Sequence, residues 1–255
     1  MNLAFIKAIY ALWQRDVRKL LRNRSRLLSG LAQPLMYLLA LGAGLNSVFQ
    51  SAGFGNYTTF LSPGIIAMTI MTSSFVSGIS VLWDRKFGFL KETLVAPVPR
   101  FCIVLGRALG SATIGAVQGF VVLVLSIFFG SKIDGILTLL SIVPMMLLTG
   151  MLFSLAGIWC GAIIEDFQSI QLIINFILMP LFFLSGALFP LASVKSTTLA
   201  FITHLNPVTY CVDALRASGT PNSHFGLSTD VGVVTPIVLL LLFVSSRAFS
   251  RVKVA

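Results

Sequence analysis

The sequence predicts an all-α polytopic membrane protein: six transmembrane helices, an N-terminal amphipathic interfacial helix, and a re-entrant outer segment between the fifth and sixth spans. Three observations carry this. The 255-residue chain is 56% hydrophobic and only 10% charged, with a mean hydropathy of +0.95, whereas soluble domains carry roughly 25% charge. Apolar stretches long enough for the roughly 30 Å hydrocarbon layer recur along it. Between two of them, Trp83 to Arg100 forms a charged break that gains nothing in lipid and therefore lies in water.

The elements follow in order. Residues 1–26 form an amphipathic helix, with Ile6, Ile9, Tyr10, Trp13, Val17, Leu20 and Leu21 at helical spacing. Lys7, Gln14, Arg15, Arg18 and Arg22 take the other side. Such a helix lies in the headgroup plane with its cations toward anionic lipid. Residues 27–255 form the six-span domain. The spans are expected at about 27–49, 58–82, 101–130, 136–164, 167–189 and 231–250. The last is short in apolar residues, and Ser245, Ser246 and a snorkelling Arg247 complete it. Helices bond every backbone amide internally, as lipid requires. Arg107 is expected to be the only charge inside a span.

Cations set the orientation. The net charge is +10, and fifteen of the 18 Lys and Arg residues fall in 1–26, 83–100, Arg107 and the C-terminal tail. The other side holds Lys132, Lys195 and Arg216. Positive charge marks the cytoplasmic side, so both termini are expected inside. The positive balance is used there, without the basic, aromatic-interleaved patch that nucleic acid binding would need. Cys102, Cys160 and Cys211 are odd in number and lack CxxC spacing, so they read as small apolar residues.

Pro190 to Asp230 is too long for a simple connection and too apolar for a solvated one. One or two short helices dipping into the outer leaflet would bury it.

Two segments carry a family resemblance. Glu92-Thr93-Leu94-Val95-Ala96-Pro97-Val98-Pro99-Arg100 resembles the first cytoplasmic loop of type-2 ATP-binding-cassette export permeases. Ser185 to Pro190, His204 to Tyr210 and Ala214-Leu215-Arg216 resemble that family's "SGxxxP…LNPxxY…ALR" pattern. The resemblance implies that the 83–100 loop is a coupling helix receiving force from a separate ATPase subunit. Arg85, Phe87, Leu90, Lys91, Glu92, Leu94 and Pro97 would make that contact. Phe87, Leu90 and Leu94 would form an apolar knob, with Pro97 and Pro99 ending the helix. It also implies that Gly186, Pro190, Asn206, Pro207 and Tyr210 belong to re-entrant helices closing the exit side. A homodimer with two ATPase copies is the implied assembly, in the cytoplasmic membrane. One departure is the inner loop Glu165 to Gln168, which is very short, leaving most of the ATPase contact to residues 84–99.

Other motifs are weaker. Gly150, Ser154, Gly157 and Gly161 form a small-residue stripe on the fourth span, expected to be an intramolecular seam. Gly106/Gly110 and Gly115/Gly119 are lesser GxxxG pairs on the third. Glu165 and Asp166 point apart on a helix and do not make a metal pair; they are expected to contact basic residues, those of the N-terminal helix among them. His204 and His224 have no third ligand nearby in sequence. Gln118, Gln171, Asn175 and Ser185 lie within spans, where they either line a translocation path or bond between helices. Leu28 to Gln33 faintly echoes the ABC signature, but no GxxxxGK[ST] phosphate loop exists, so ATP and Mg are expected on the partner and no cofactor on this chain. An ion-coupled transporter is the alternative class, and a membrane-embedded enzyme lacks a nucleophile–base set.

Overall fold

The computed structural model describes residues 3–22, 24–51, 55–87, 98–131, 136–191, 196–219 and 224–250. Ten α-helices run through them: α1 Leu3–Arg22, α2 Arg24–Ser51, α3 Tyr57–Lys86, α4 Arg100–Phe128, α5 Ile136–Ile163, α6 Phe167–Ile173, α7 Met179–Phe183, α8 Thr197–Leu205, α9 Pro207–Gly219 and α10 Leu227–Ser250. A π-helical turn, Ile174–Leu178, joins α6 to α7. No strand occurs among the described residues.

Five helices are long and apolar enough to cross a membrane: α2 from Gly30, α3, α4, α5 from Ser141, and α10. The apolar stretch 167–189 behaves differently. Its helix ends at Phe183, shorter than the span expected from the sequence. Pro180 has no N–H to give and crowds the carbonyl four residues back, and the ladder widens into the π turn just before it. Ser185 then donates its hydroxyl to the Phe182 carbonyl at 2.7 Å, and Gly186 takes φ +71°, which turns the chain out of the helix.

α3 is the most enclosed of the five; α2 and α10 are the least. The close helix approaches around α3 run along glycines. A Cβ on Gly150 of α5 would lie 2.9 Å from the Ala112 backbone of α4, and one on Gly161 would lie 3.2 Å from the Ile79 carbonyl of α3. Ser154, between them, donates to the Ala108 carbonyl at 3.1 Å. The stripe is thus an internal seam of α5 against α3 and α4. On α4, Gly115 and Gly119 face α3, and Gly106 and Gly110 face α1.

That last contact gives α1 a place. It packs along α4 through Ile9, Leu12 and Asp16, and Trp13 Nε1 donates to Thr113 Oγ1 at 3.0 Å. Ile6 and Tyr10, grouped in sequence with the same apolar side, stay exposed. α9, by contrast, is buried along its length against α3, α5 and α10.

Candidate functional site

The charged end of the bundle, where α1, the end of α3 and the start of α4 meet, holds a cluster invisible as a motif. Arg107 sits seven residues into α4, about 10 Å along its axis, and is 2% exposed. A guanidinium so enclosed requires a carboxylate. Asp84, in the last turn of α3, supplies it through a close ion pair. Arg15 of α1 approaches the same carboxylate oxygen at 3.7 Å and bonds its neighbour Asp16 at 3.1 Å. Asp16 is itself buried against Gly110. Two cations and two carboxylates from three helices therefore neutralise one another where α3 leaves the bundle and α4 re-enters.

A second tie lies beside it. Arg85 donates to Glu165 Oε1 at 3.2 Å and to the Ala162 carbonyl at 3.3 Å, joining α3 to the end of α5. Phe167, the first residue of α6, is clamped under Trp83, ring centroids 4.1 Å apart, and under the Lys86 ammonium at 4.4 Å. The acid turn thus meets Arg85 of α3, not the N-terminal helix. Asp166 stands at the N-cap of α6 and makes no side-chain capping bond.

Residues 83–100 divide accordingly. Helix α3 continues to Lys86, and Phe87 caps it with its ring 64% exposed and parallel to Trp83. Of the expected ATPase-contact residues, Arg85 and Phe87 are described; Leu90, Lys91, Glu92, Leu94 and Pro97 lie outside the described residues. The ion cluster and the Arg85 tie brace both sides of this interval.

At the far end, the named outer residues fall at the start of α9 and in the turns around α7 and α8. Asn206 donates from Nδ2 to the Leu181 carbonyl at 2.6 Å and accepts the Val208 amide at 3.0 Å, capping α9 while holding it to α7. Pro207 is the first residue of α9. Tyr210 donates its hydroxyl to the His204 carbonyl at 2.8 Å. Gly186, whose carbonyl accepts from Arg216 at 3.3 Å, packs on Leu191 one residue past Pro190. Burial lowers the Arg216 guanidinium to about 10, with the Asp213 charge opposing the shift, so it remains a cation at neutral pH.

Sequence reasoning missed three groups here. Asp213 accepts the backbone amides of His224 and Phe225 at 2.8–3.0 Å, fixing the chain before α10. Tyr57 donates its hydroxyl to the Leu188 carbonyl at 3.0 Å. Asp230 corrects the expectation that Arg107 is the only charge in a span: α10 begins at Leu227, so Asp230 lies in its first turn, fully enclosed. His204 and His224, twenty residues apart, meet around Phe225 in an aromatic cluster.

The four polar span residues separate. Gln118 is 3% exposed and accepts a hydrogen bond from Ser73 of α3. Gln171 and Asn175 bond one another at 3.2 Å on the exposed side of α6 and the π turn. Ser185 is buried and donates within its own turn. Gln118 lines a cavity together with Gln33, which the sequence offered only as the end of a faint signature echo.

Fold and site together define a polytopic, all-helical membrane protein whose charged end is braced around one loop and whose far end is closed by short helices. Comparison with known proteins gives that class a family. The ABC-2 type transporter family model matches residues 7–218. A transport permease, ycf38, of Cyanophora paradoxa is 31% identical over 219 residues, covering 83% of this chain and 74% of that one. The inner membrane transport permease YadH of Escherichia coli K12 is 28% identical over 244 residues, 93% of this chain and 90% of its own. Nodulation protein J of Rhizobium leguminosarum bv. trifolii is 29% identical over 230 residues, 88% and 86% respectively. The chain belongs to the ABC-2 type transporter family and is a membrane-spanning transport permease.

Proposed function

We propose that this permease is the membrane subunit of an ABC exporter, working as a homodimer with two copies of a separate ATPase. It moves an amphiphile (a drug, a lipid or a lipid-linked glycan) outward across the cytoplasmic membrane. ATP and Mg bind the partner. The charged end faces the cytoplasm with both termini, α1 lies at the headgroup level, and α6–α7 completes a sixth crossing. At 17 residues that helix reaches about 26 Å, which the membrane accommodates by local thinning. α8 and α9 form the re-entrant outer segment.

The bracing of the 88–97 interval is the observation that carries this reading. A solvated connection needs no anchoring. Here the helices on either side of the interval are tied by Asp84–Arg107 and the outgoing one again by Arg85–Glu165, so a push on the loop reaches α3 and α4 together, and α5 through the weaker tie.

The test is Leu90→Asp. A charge placed in the apolar knob costs on the order of several kcal/mol if the knob is buried in the ATPase. The expected outcome is normal membrane insertion with loss of transport and of ATPase co-purification; Lys132→Asp, on the opposite side, is tolerated. Normal transport by Leu90→Asp refutes the coupling assignment. Orientation is tested separately with single cysteines in a background lacking the native three. Ser196→Cys, at an exposed position, reacts with an impermeant thiol reagent on intact cells, and Phe87→Cys reacts only after lysis. The reverse pattern inverts the topology.

A further inference from the structure

Halfway along α3 and just past the middle of α4, a polar cleft opens between these helices and α2. Its volume is about 280 Å³, and it is lined by Gln33, Thr72, Ser73 and Gln118 with Val76 and Ile114. That is near the low end of small-molecule sites, roughly 300–1,000 Å³. It suits one headgroup rather than a whole amphiphile.

The cleft is built, not incidental. Gln118 is almost fully enclosed, and its amide oxygen is occupied by the Ser73 hydroxyl, which turns the amide nitrogen toward the opening. That nitrogen has no hydrogen-bond partner among the described residues, and neither has the Gln33 amide. Gly30 keeps the space clear: a Cβ there would stand 3.0 Å from the Gln118 nitrogen. Gln118 is enclosed and Gln33 is exposed beside it, so a polar group in the cleft can bond both amides without breaking a bond within the protein.

We propose that this cleft holds the polar head of the transported amphiphile and selects an uncharged, hydroxyl-bearing group. This rests on the export reading above. The selection follows from the lining. Among the described residues that line the cleft there is no Asp, Glu, Lys, Arg or His, so against this lining an anionic or cationic head would stand unpaired. Amides and hydroxyls both donate and accept, which matches the two-way hydrogen bonding of sugar hydroxyls. Val76 and Ile114 offer apolar surface to a ring face. The amphiphile's chains stay outside, in lipid.

The experiment uses the purified full-length chain in detergent, with bound lipid counted by native mass spectrometry. The probes are monoglucosyl diacylglycerol, phosphatidylglycerol with the same chains, and free glucose. The wild-type chain is expected to retain the glucosyl lipid at least tenfold more tightly than phosphatidylglycerol, and free glucose weakly or not at all. The double variant Gln33→Leu/Gln118→Leu removes both amides and is expected to lower glucosyl-lipid affinity about tenfold or more. Gly30→Val, which fills the opening and crowds the Gln118 amide while keeping both glutamines, gives a comparable loss. Size-exclusion profiles certify folding. Equal retention of the two lipids overturns the proposal, as does unchanged affinity in both variants, or glucose binding as tightly as its lipid. ATPase co-purification by the cleft variants separates the two readings. If it persists while the binding prediction fails, the cleft assignment falls and the permease reading stands.

Discussion

The two ends of this bundle are held by different chemistry. At the charged end most ties run from side chain to side chain, between helices distant in sequence: Arg15 and Arg107 to Asp84, and Arg85 to Glu165, with Arg85 also reaching the Ala162 carbonyl. At the far end they run from side chain to backbone: Asn206 to Leu181, Tyr57 to Leu188, Arg216 to Gly186, and Asp213 to the amides before α10. A backbone partner has one position, so such bonds set the shape of a turn. A charged partner can be exchanged for another nearby, as Asp84 is already shared between two arginines. The end proposed to receive force is thus assembled from exchangeable contacts, and the end proposed to close the exit from fixed ones.

The sharpest way to break this comparison is Asp84→Ala. It leaves Arg107 enclosed without its counter-charge, and removing one partner of a buried pair costs about 3–5 kcal/mol. Thermal melting of the purified chain should show the largest loss of any substitution considered. Adding Arg107→Leu should recover much of that loss, because no charge then remains to compensate; a double-mutant cycle reads the coupling. If Asp84→Ala melts as the wild type does, the cluster does not hold the charged end.

Asn206→Ala probes the far end. It deletes the cap of α9 and the bond to Leu181, each worth about 1 kcal/mol, for an expected loss of about 2 kcal/mol. Because Asn206 serves backbone groups, no second substitution of a side chain should rescue it. Recovery by any single partner variant would erase the distinction between the two ends. Asn206→Asp, which keeps the acceptor for Val208 but sets a buried carboxylate oxygen against the Leu181 carbonyl, should lose at least as much as Asn206→Ala.

How much of this was legible follows the same division. The apolar stretches were readable because lipid allows few backbone solutions, whereas Gly186, Asn206 and Pro207 at the far end were singled out only through the resemblance to a family pattern. The ion cluster was not readable in full. Arg107, alone among uncharged neighbours, announced that it needed a carboxylate, but several acids expected on its side of the membrane were eligible. Only the packing of α1 and α3 on α4 selects Asp84. The early end of α7 was hidden for another reason: composition continues apolar to Phe189, and the π turn before Pro180 has no compositional mark. Asp230 was misplaced because hydropathy counts residues without saying where the helix starts.

The smallest effect belongs to Glu165→Gln, and its size is informative. The Arg85–Glu165 pair measures 3.2 Å, but the Glu165 side chain is 81% exposed. An exposed pair gains little in water, loses side-chain entropy on forming, and is screened by salt; such pairs are worth about 0–1 kcal/mol. Arg85 also keeps its bond to the Ala162 carbonyl when the carboxylate is lost. The isolated chain should therefore melt within a few degrees of the wild type, and the difference should shrink further at high salt. The assembled transporter should differ. If the partner ATPase seats against the charged end, it covers Glu165 and takes away the water that makes the pair weak, so the same substitution should lower ATPase co-purification more than it lowers thermal stability. Equal and negligible effects in both measurements would mean that the α5–α6 turn stays in water, and that the contact rests on the 84–99 interval alone.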